Sequence, residues 1–138
     1  MRPLLLLALV TLAGCAGTSG THVGGHASIS GAIAYPSEVT PAMRICAVPG
    51  AGAAPVCIDS AAGRTSYRLD HVAAGDYQLV AKLNEGEMRV GGHVQPVQCV
   101  RAPCPDLLKT VSVVAGAQLT GIDLNEFYAA RADFPPLP

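Results

Sequence analysis

The stretch MRICAVPGAGAAPVCID (43–59) contains two short apolar runs on either side of a loop that is rich in small residues. The loop, PGAGAAP (49–55), consists of Gly, Ala and Pro. Gly and Pro favour turns and are depleted in strands. The flanking runs have the length and the apolar character of short strands, so this stretch predicts a β-hairpin.

The register of this hairpin follows from the residues that oppose each other when paired positions sum to 103. The opposed pairs are then Ile45 with Ile58, Cys46 with Cys57, and Arg44 with Asp59. Directly opposed residues of antiparallel strands have Cα atoms roughly 4.5–5.5 Å apart, a separation that a disulfide can bridge. Because an apolar pair, an ion pair and a disulfide agree on one register, the sequence predicts a Cys46–Cys57 disulfide.

Outward from this hairpin, further runs resemble short strands with alternating burial. They lie at 28–35, 66–72, 76–83, 87–94, 108–114 and 118–124. Turn signals such as Ala73-Ala74-Gly75 separate them, and Gly91-Gly92 breaks the weak run at 87–94. No run has the period of an amphipathic helix. The predicted fold class is therefore all-β, a seven- or eight-stranded antiparallel β-sandwich.

Three stretches resemble the carboxypeptidase regulatory-like domain: ISGAIAYPSEVTPAMRICAV (29–48), YRLDHVAAGDYQLVAKL (67–83) and VSVVAGAQLTGIDLNEFY (111–128). The resemblance covers about residues 28–128 and implies a transthyretin-like β-sandwich that serves as a non-catalytic accessory module. Its motifs are turn and core signals, so they point to a fold and say little about activity. Ala73-Ala74 stands where the family usually has Pro-Pro, and the cysteines resemble those of a cysteine-bearing bacterial variant, in which an aromatic pair like Phe127-Tyr128 follows the last strand.

The N-terminus has the layout of a secretion signal, with one positive charge at Arg2 before the apolar run Leu4–Leu12. That run is too short to span a bilayer as a helix, which takes about 20 residues. Its end, Leu12-Ala13-Gly14-Cys15, resembles the bacterial lipobox. We therefore predict that the signal (1–14) is removed and that Cys15 carries the lipid, which anchors the protein to the membrane. Ala16, where an Asp would retain such a protein at the inner membrane, indicates the outer membrane.

Composition divides the rest of the chain into a flexible tether with the lipidated Cys (15–27), one β-sandwich domain (28–128) and an irregular C-terminal tail (129–138). The formal net charge is −1 at pH 7, and no basic run occurs. Nucleic acid is therefore not an expected partner.

The segment 95–107 is predicted to be a long loop that a second disulfide closes. Four cysteines remain when Cys15 is lipidated, and they allow three pairings, of which spacing favours Cys46–Cys57 with Cys99–Cys104. A redox pair or half of a zinc site is the alternative for Cys99 and Cys104, but redox motifs usually have two intervening residues. Val100, Arg101 and Pro103 would give the loop a charged anchor beside apolar contacts, which makes it the predicted binding surface.

The sequence carries none of the familiar hydrolase, NTPase, zincin or dinucleotide signatures. His22, His26 and His93 would form a metal site only if they converged with Asp or Cys. Asp70 and His71 could form a catalytic pair, but adjacent strand residues point to opposite faces. We therefore predict no catalytic residues, no bound metal and no cofactor.

The leading functional prediction is a non-enzymatic, lipid-anchored envelope module that binds another protein or supports the envelope. One alternative is a periplasmic inhibitor or immunity protein that plugs a hydrolase, a role that Arg101 at the tip of a stapled loop would suit. A second alternative is a small-ligand or glycan-binding module. Glycan binding usually needs exposed aromatic platforms, and this chain has four Tyr, two Phe and no Trp.

Overall fold

The computed structural model describes residues 25–85, 89–95, 107–129 and 133–138. These residues form β-strands and turns, with no helix among them. The strands are β1 (Ala27–Ala32), β2 (Met43–Pro49), β3 (Val56–Ser60), β4 (Ser66–Val72), β5 (Gly75–Leu83), β6 (Arg89–Gly92), β7 (Val94–Gln95), β8 (Leu107–Leu108), β9 (Thr110–Val113), β10 (Gln118–Leu119) and β11 (Glu126–Ala129). Nothing in this described part is a helix that is long and apolar enough to cross a membrane.

The strands build a sandwich of two main sheets. The smaller sheet has the order β10-β1-β4, and the larger has the order β11-β6-β5-β2-β3. β9 also pairs with β5, along Gly75–Gln78, while β6 pairs with the later part of the same strand. The short strands β7 and β8 form a separate pair. The predicted all-β sandwich is confirmed.

The β2–β3 hairpin has the register that the sequence predicts. Its opposed residues are Arg44 with Asp59, Ile45 with Ile58, and Cys46 with Cys57. The two cysteines form a disulfide across the hairpin, and the Arg44 guanidinium lies 3.3 Å from an Asp59 carboxylate oxygen. The disulfide prediction and the ion-pair prediction are both confirmed.

The main core lies between the two sheets and is made of apolar residues that alternate along the strands. β5 shows the pattern most clearly, because Tyr77, Leu79 and Ala81 are buried while Lys82 is exposed. Fully buried partners come from both sheets: Ile29, Met43, Ile45, Leu69, Val72 and Leu124.

A second apolar cluster covers the other face of the larger sheet. Val80 points away from the main core, and it packs with Val94 and with Phe134 of the C-terminal tail. Residues 133–138 form no strand, as expected of an irregular tail, but Phe134 is only 6% exposed. These tail residues are therefore part of the packed domain.

The strand count and one strand direction differ from the prediction. The described residues hold eleven strands for two reasons. Two of the eight predicted runs are each divided, at His93 and at Lys109, where the chain leaves one sheet and pairs β7 with β8, and β11 lies beyond the last predicted run. β10 pairs with β1 in parallel, so the sandwich is not wholly antiparallel. The turn after β9 carries the chain from the larger sheet to the smaller one, where it runs beside β1 in the same direction.

The sequence predicts that Gly91-Gly92 breaks the run at 87–94. This prediction is wrong, because both glycines lie within β6. A side chain at Gly91 would collide with the ring of Phe127, and one at Gly92 would meet Leu108 and the ring of Phe134. The two glycines thus leave room for the ring of Phe127 on one face of the sheet and for Leu108 and the ring of Phe134 on the other. Phe127 itself lies in β11, which pairs with β6, and so it does not follow the last strand.

Candidate functional site

The predicted contact loop falls outside the described residues, but the two strands at its ends are described. β7 and β8 pair antiparallel, with Val94 opposite Leu108 and Gln95 opposite Leu107. The predicted site residues between them, Cys99, Val100, Arg101, Pro103 and Cys104, lie outside the described residues, as does Cys15. The ends of the loop therefore meet at a hairpin base.

Asn125 holds one side of this base. The backbone N–H of Val94 donates to Asn125 Oδ1 at 2.8 Å, and Asn125 Nδ2 donates to the carbonyl of Val94 at 2.9 Å. These two bonds reproduce what a neighbouring strand would give Val94, whose side chain is 1% exposed. The N–H of Asn125 also donates to the Gly92 carbonyl at 3.1 Å, which fixes the amide against the sheet.

His93 holds the other side of the base. Its Nδ1 lies 2.7 Å from the carbonyl oxygen of Asp123, and since a carbonyl only accepts, Nδ1 carries the proton and donates. The backbone N–H of His93 donates to the Leu79 carbonyl at 3.0 Å, and its own carbonyl accepts from Lys109 N–H at 2.8 Å. His93 is thus a buried structural residue that joins three parts of the fold.

The segment 120–125, which supplies Asn125 and Asp123, is itself held by Tyr67. The Tyr67 hydroxyl donates to the Ile122 carbonyl at 2.5 Å, and the Asp123 carboxylate accepts from the N–H of Ala32 at 2.7 Å. Burial raises the pKa of the Tyr67 hydroxyl, and the negative charge of Asp123 raises it further. Tyr67 is therefore a neutral hydrogen-bond donor, and this contact stabilises the fold.

A cleft of about 430 Å³ lies between the 49–53 loop and the 73–77 turn. Small apolar residues line most of this cleft, and its side chains that carry ionisable groups are those of Asp76 and Tyr77. Asp76 accepts a hydrogen bond from the Ser112 hydroxyl at 2.6 Å, while the Tyr77 hydroxyl donates to the Ala73 carbonyl at 3.0 Å. Both of these polar side chains are thus engaged in hydrogen bonds within the domain.

A second cleft, of about 420 Å³, lies at the open edge between β3 and β4, and several of its lining residues are charged. Asp59, Arg64 and Arg68 are among its lining residues. Asp59 is paired with Arg44, and Arg68 lies 2.8 Å from Asp70. All four partners of these pairs are substantially exposed, so each pair contributes about 0–1 kcal/mol to stability.

Asp70 and His71 do not alternate between an exposed and a buried position, as adjacent residues of a regular strand would. Both residues are exposed because the pairing of β4 with β1 shifts register there, and His71 has a φ of 60°. Asp70 binds Arg68, whereas the ring of His71 meets the ring of His26 edge-on, with centroids 5.4 Å apart. Across the part of the chain that the structure describes, no three His, Cys, Asp or Glu side chains converge on one point.

The six aromatic side chains all lie in the described part, and all are packed. Tyr67, Tyr77 and Phe134 are buried; Tyr35 meets Phe127 edge-on with centroids 5.0 Å apart, and Tyr128 meets Phe134 at 6.0 Å. Tyr67 and Tyr77 belong to the main core, and Tyr35 packs against it. None of the six is an exposed platform for stacking a sugar ring, which weakens the glycan-binding alternative.

Two contacts near these sites were not predicted from the sequence. Asn125 could have been suspected, because an Asn amide can imitate a peptide group, but its partner Val94 is 31 residues away. The His26–His71 contact depends on a register shift that has only a faint sequence signal.

No protein-family model, no curated protein and no solved structure matches this chain.

Proposed function

We propose that this chain is a non-enzymatic, lipid-anchored module of the cell envelope that acts by contact with another protein. The observation that supports this most directly is the hairpin base, where β7 and β8 pair and Asn125 and His93 fix the surrounding backbone. A loop whose ends are fixed in this way loses less conformational entropy on binding than a free one.

The contact surface in this proposal is the segment 95–107. Arg101 supplies a charged anchor, and Val100 and Pro103 supply apolar contacts beside it, a combination common in binding hot spots. A Cys99–Cys104 disulfide would pre-order the segment further, by about 2 kcal/mol of loop-closure entropy. Peptide mapping without reduction should recover Cys99 joined to Cys104; free thiols there, or Cys46 joined to Cys99, would count against it.

The polar groups of the described clefts support contact over catalysis. Asp76 and Tyr77 in the first cleft are engaged with Ser112 and with the backbone, and Asp59 and Arg68 in the second are ion-paired. Acyl transfer would need a nucleophile, a base and an oxyanion donor in one place. Neither cleft brings these three together.

The envelope location is proposed from Cys15 and its preceding signal, with the outer membrane as the destination. The resemblance to the carboxypeptidase regulatory-like domain supports a non-catalytic module. In its G-I-D-L motif (121–124), Ile122 and Asp123 have structural roles, because they accept the hydrogen bonds that hold β1 and β4. Labelling cells with a clickable fatty acid should tag the wild type and leave Cys15→Ala unlabelled. Equal labelling of both proteins would contradict the lipid anchor.

Capture of partners from envelope extract tests the contact surface. The full chain carrying Cys15→Ala serves as bait, and it is compared with versions that also carry Arg101→Ala or a shortened 96–106 segment. Arg68→Ala is the matched control, because it removes an exposed Arg from β4 and leaves the loop intact. We expect Arg101→Ala and the shortened loop to lose a partner that Arg68→Ala retains; the same captured set for all four baits would show that the loop is not the surface.

The same captured material separates the two alternatives. An inhibitor or immunity protein should form a stoichiometric complex with a single hydrolase and block its activity. A ligand- or glycan-binding module should instead be retained on cell-wall polysaccharide, and this retention should not depend on Arg101.

A further inference from the structure

His26 and His71 form an exposed pair on the outer face of the smaller sheet. Their ring centroids are 5.4 Å apart and the ring planes are inclined by 77°. His26 directly precedes Ala27, and His71 directly precedes Val72. Ala27 and Val72 pair with each other, and both are buried. The two neighbours, His26 and His71, therefore point together toward solvent as a diagonal cross-strand pair.

A β-bulge in β4 creates this arrangement. Ile29 pairs with Leu69, but the next paired residues are Ala27 and Val72, so β4 has one more residue than β1 in this interval. The extra residue is absorbed where His71 takes a φ of 60°, a left-handed conformation that residues other than Gly rarely adopt. Without the bulge, His71 would lie opposite Ala27 and point into the core.

The separation of the two rings is close to that of two imidazoles on one metal ion. Imidazole nitrogens bind zinc at about 2.0–2.1 Å, and two rings in tetrahedral positions then have centres roughly 5 Å apart. In the present arrangement the rings meet edge-on, and because both side chains are exposed, rotation about their side-chain torsions can turn one nitrogen of each ring toward a common point. The neighbouring cation Arg68 is neutralised by Asp70 at 2.8 Å, which reduces its repulsion of a bound cation.

We propose that His26 and His71 bind one late first-row divalent ion, of the Zn²⁺, Ni²⁺ and Cu²⁺ class, through one nitrogen each. Imidazole ligands favour these ions over Mg²⁺ and Ca²⁺, which prefer oxygen. The remaining coordination positions face solvent, where water or a side chain of a bound protein can fill them. The site thus combines a strand edge, a bulge and the residue before β1.

Calorimetric titration of the full chain carrying Cys15→Ala with Ni²⁺ tests the site, and Mg²⁺ serves as the ion that should not bind. His26→Gln and His71→Asn each remove one ligand, and Asn is chosen because it tolerates a left-handed backbone. Each should weaken Ni²⁺ binding by about tenfold or more. His22→Gln is the matched control and should bind Ni²⁺ as the wild type does.

The pattern across these variants decides between this site and a chelate within the His22–His26 stretch. If His71→Asn binds like the wild type while His22→Gln is weakened, the pair proposed here is wrong. No Ni²⁺ binding by the wild type would also overturn it. A second measurement avoids variants altogether: Ni²⁺ should broaden the NMR signals of the Ala27 and Val72 amides in the wild type, and unchanged signals at both would reject the site.

Discussion

Tyr67 connects the edge strand β4 to the segment after β10 through a single hydrogen bond to the Ile122 carbonyl. The hydroxyl is the only part of the side chain that Phe lacks, so Tyr67→Phe removes the bond and leaves the packing. We expect a loss of about 1–3 kcal/mol in the free energy of unfolding, because the Ile122 carbonyl is left without its partner. Urea unfolding measures this, with Tyr35→Phe as the matched control.

The same residue predicts a pH dependence at the alkaline end. The pKa of Tyr67 in the folded protein lies above its ordinary value of 10.0, so the unfolded chain loses this proton first as pH rises. The stability from Tyr67 is therefore complete below pH 10.0 and falls as pH rises toward the folded-state pKa. Unfolding at about pH 9 and about pH 11 should show a larger drop for the wild type than for Tyr67→Phe. Equal drops would mean that Tyr67 titrates alike in both states.

His93 shows what a single residue in the sequence can and cannot reveal. A His after Gly-Gly is a reasonable candidate metal ligand, and the sequence gives no sign that it is buried. The structure places it 9% exposed with Nδ1 bonded to the Asp123 carbonyl. That partner comes from a segment 30 residues later, and only the tertiary fold brings the two together.

At the scale of elements, β7 is a two-residue strand whose backbone is hydrogen-bonded on one side to the side chain of Asn125. Asn125 supplies both the acceptor and the donor that Val94 needs. Asn125→Ala leaves two backbone groups of a buried residue without partners, and we expect a loss of about 2 kcal/mol or more. Hydrogen exchange at the Val94 amide should accelerate in the variant. Asn84→Ala, at an exposed turn position, is the matched control and should leave the exchange unchanged.

The β2–β3 hairpin gives a prediction of its own. Its disulfide closes a loop with a sequence separation of 11, for which chain entropy predicts about 3 kcal/mol of stabilisation. Replacing both Cys46 and Cys57 by Ala should cost about that much in urea unfolding. The two substitutions are made together so that no unpaired thiol remains. A cost near zero would show that the hairpin is already ordered in the unfolded chain.

The elements that sequence predicts well are those whose evidence is local. Arg44, Ile45 and Cys46 each have a matching partner in β3, so three independent pairs determine one register. The bulge in β4 was missed because its signal is the odd spacing of Leu69 and Val72, both fully buried, inside a run that otherwise alternates. The parallel pairing of β10 with β1 joins positions 90 residues apart, and no local pattern encodes that direction.

At the scale of the whole molecule, the larger sheet is apolar on both faces, and only one face meets the smaller sheet. The C-terminal tail covers part of the other face, where Phe134 packs with Val80 and Val94. Sequence reading identified the tail as irregular because of its prolines, and that is how residues 133–138 run. The packing of the tail on the sheet could not be predicted in this way. Val80, the residue of β5 that contacts Phe134, lies between Leu79 and Ala81, and a run that is apolar throughout does not show which residue faces the tail.

Phe134 therefore tests whether the tail belongs to the domain. The side chain is 6% exposed, its ring contacts Tyr128 edge-on, and Gly92 leaves room for it on the sheet. Phe134→Ala removes that ring from the cluster and should lower the free energy of unfolding by about 3 kcal/mol. Val114→Ala is the control, because Val114 is 68% exposed and its loss should change stability by less than about 0.5 kcal/mol. If both variants unfold at the same urea concentration as the wild type, the tail does not pack on the sheet in solution, and Val80 and Val94 must find another cover.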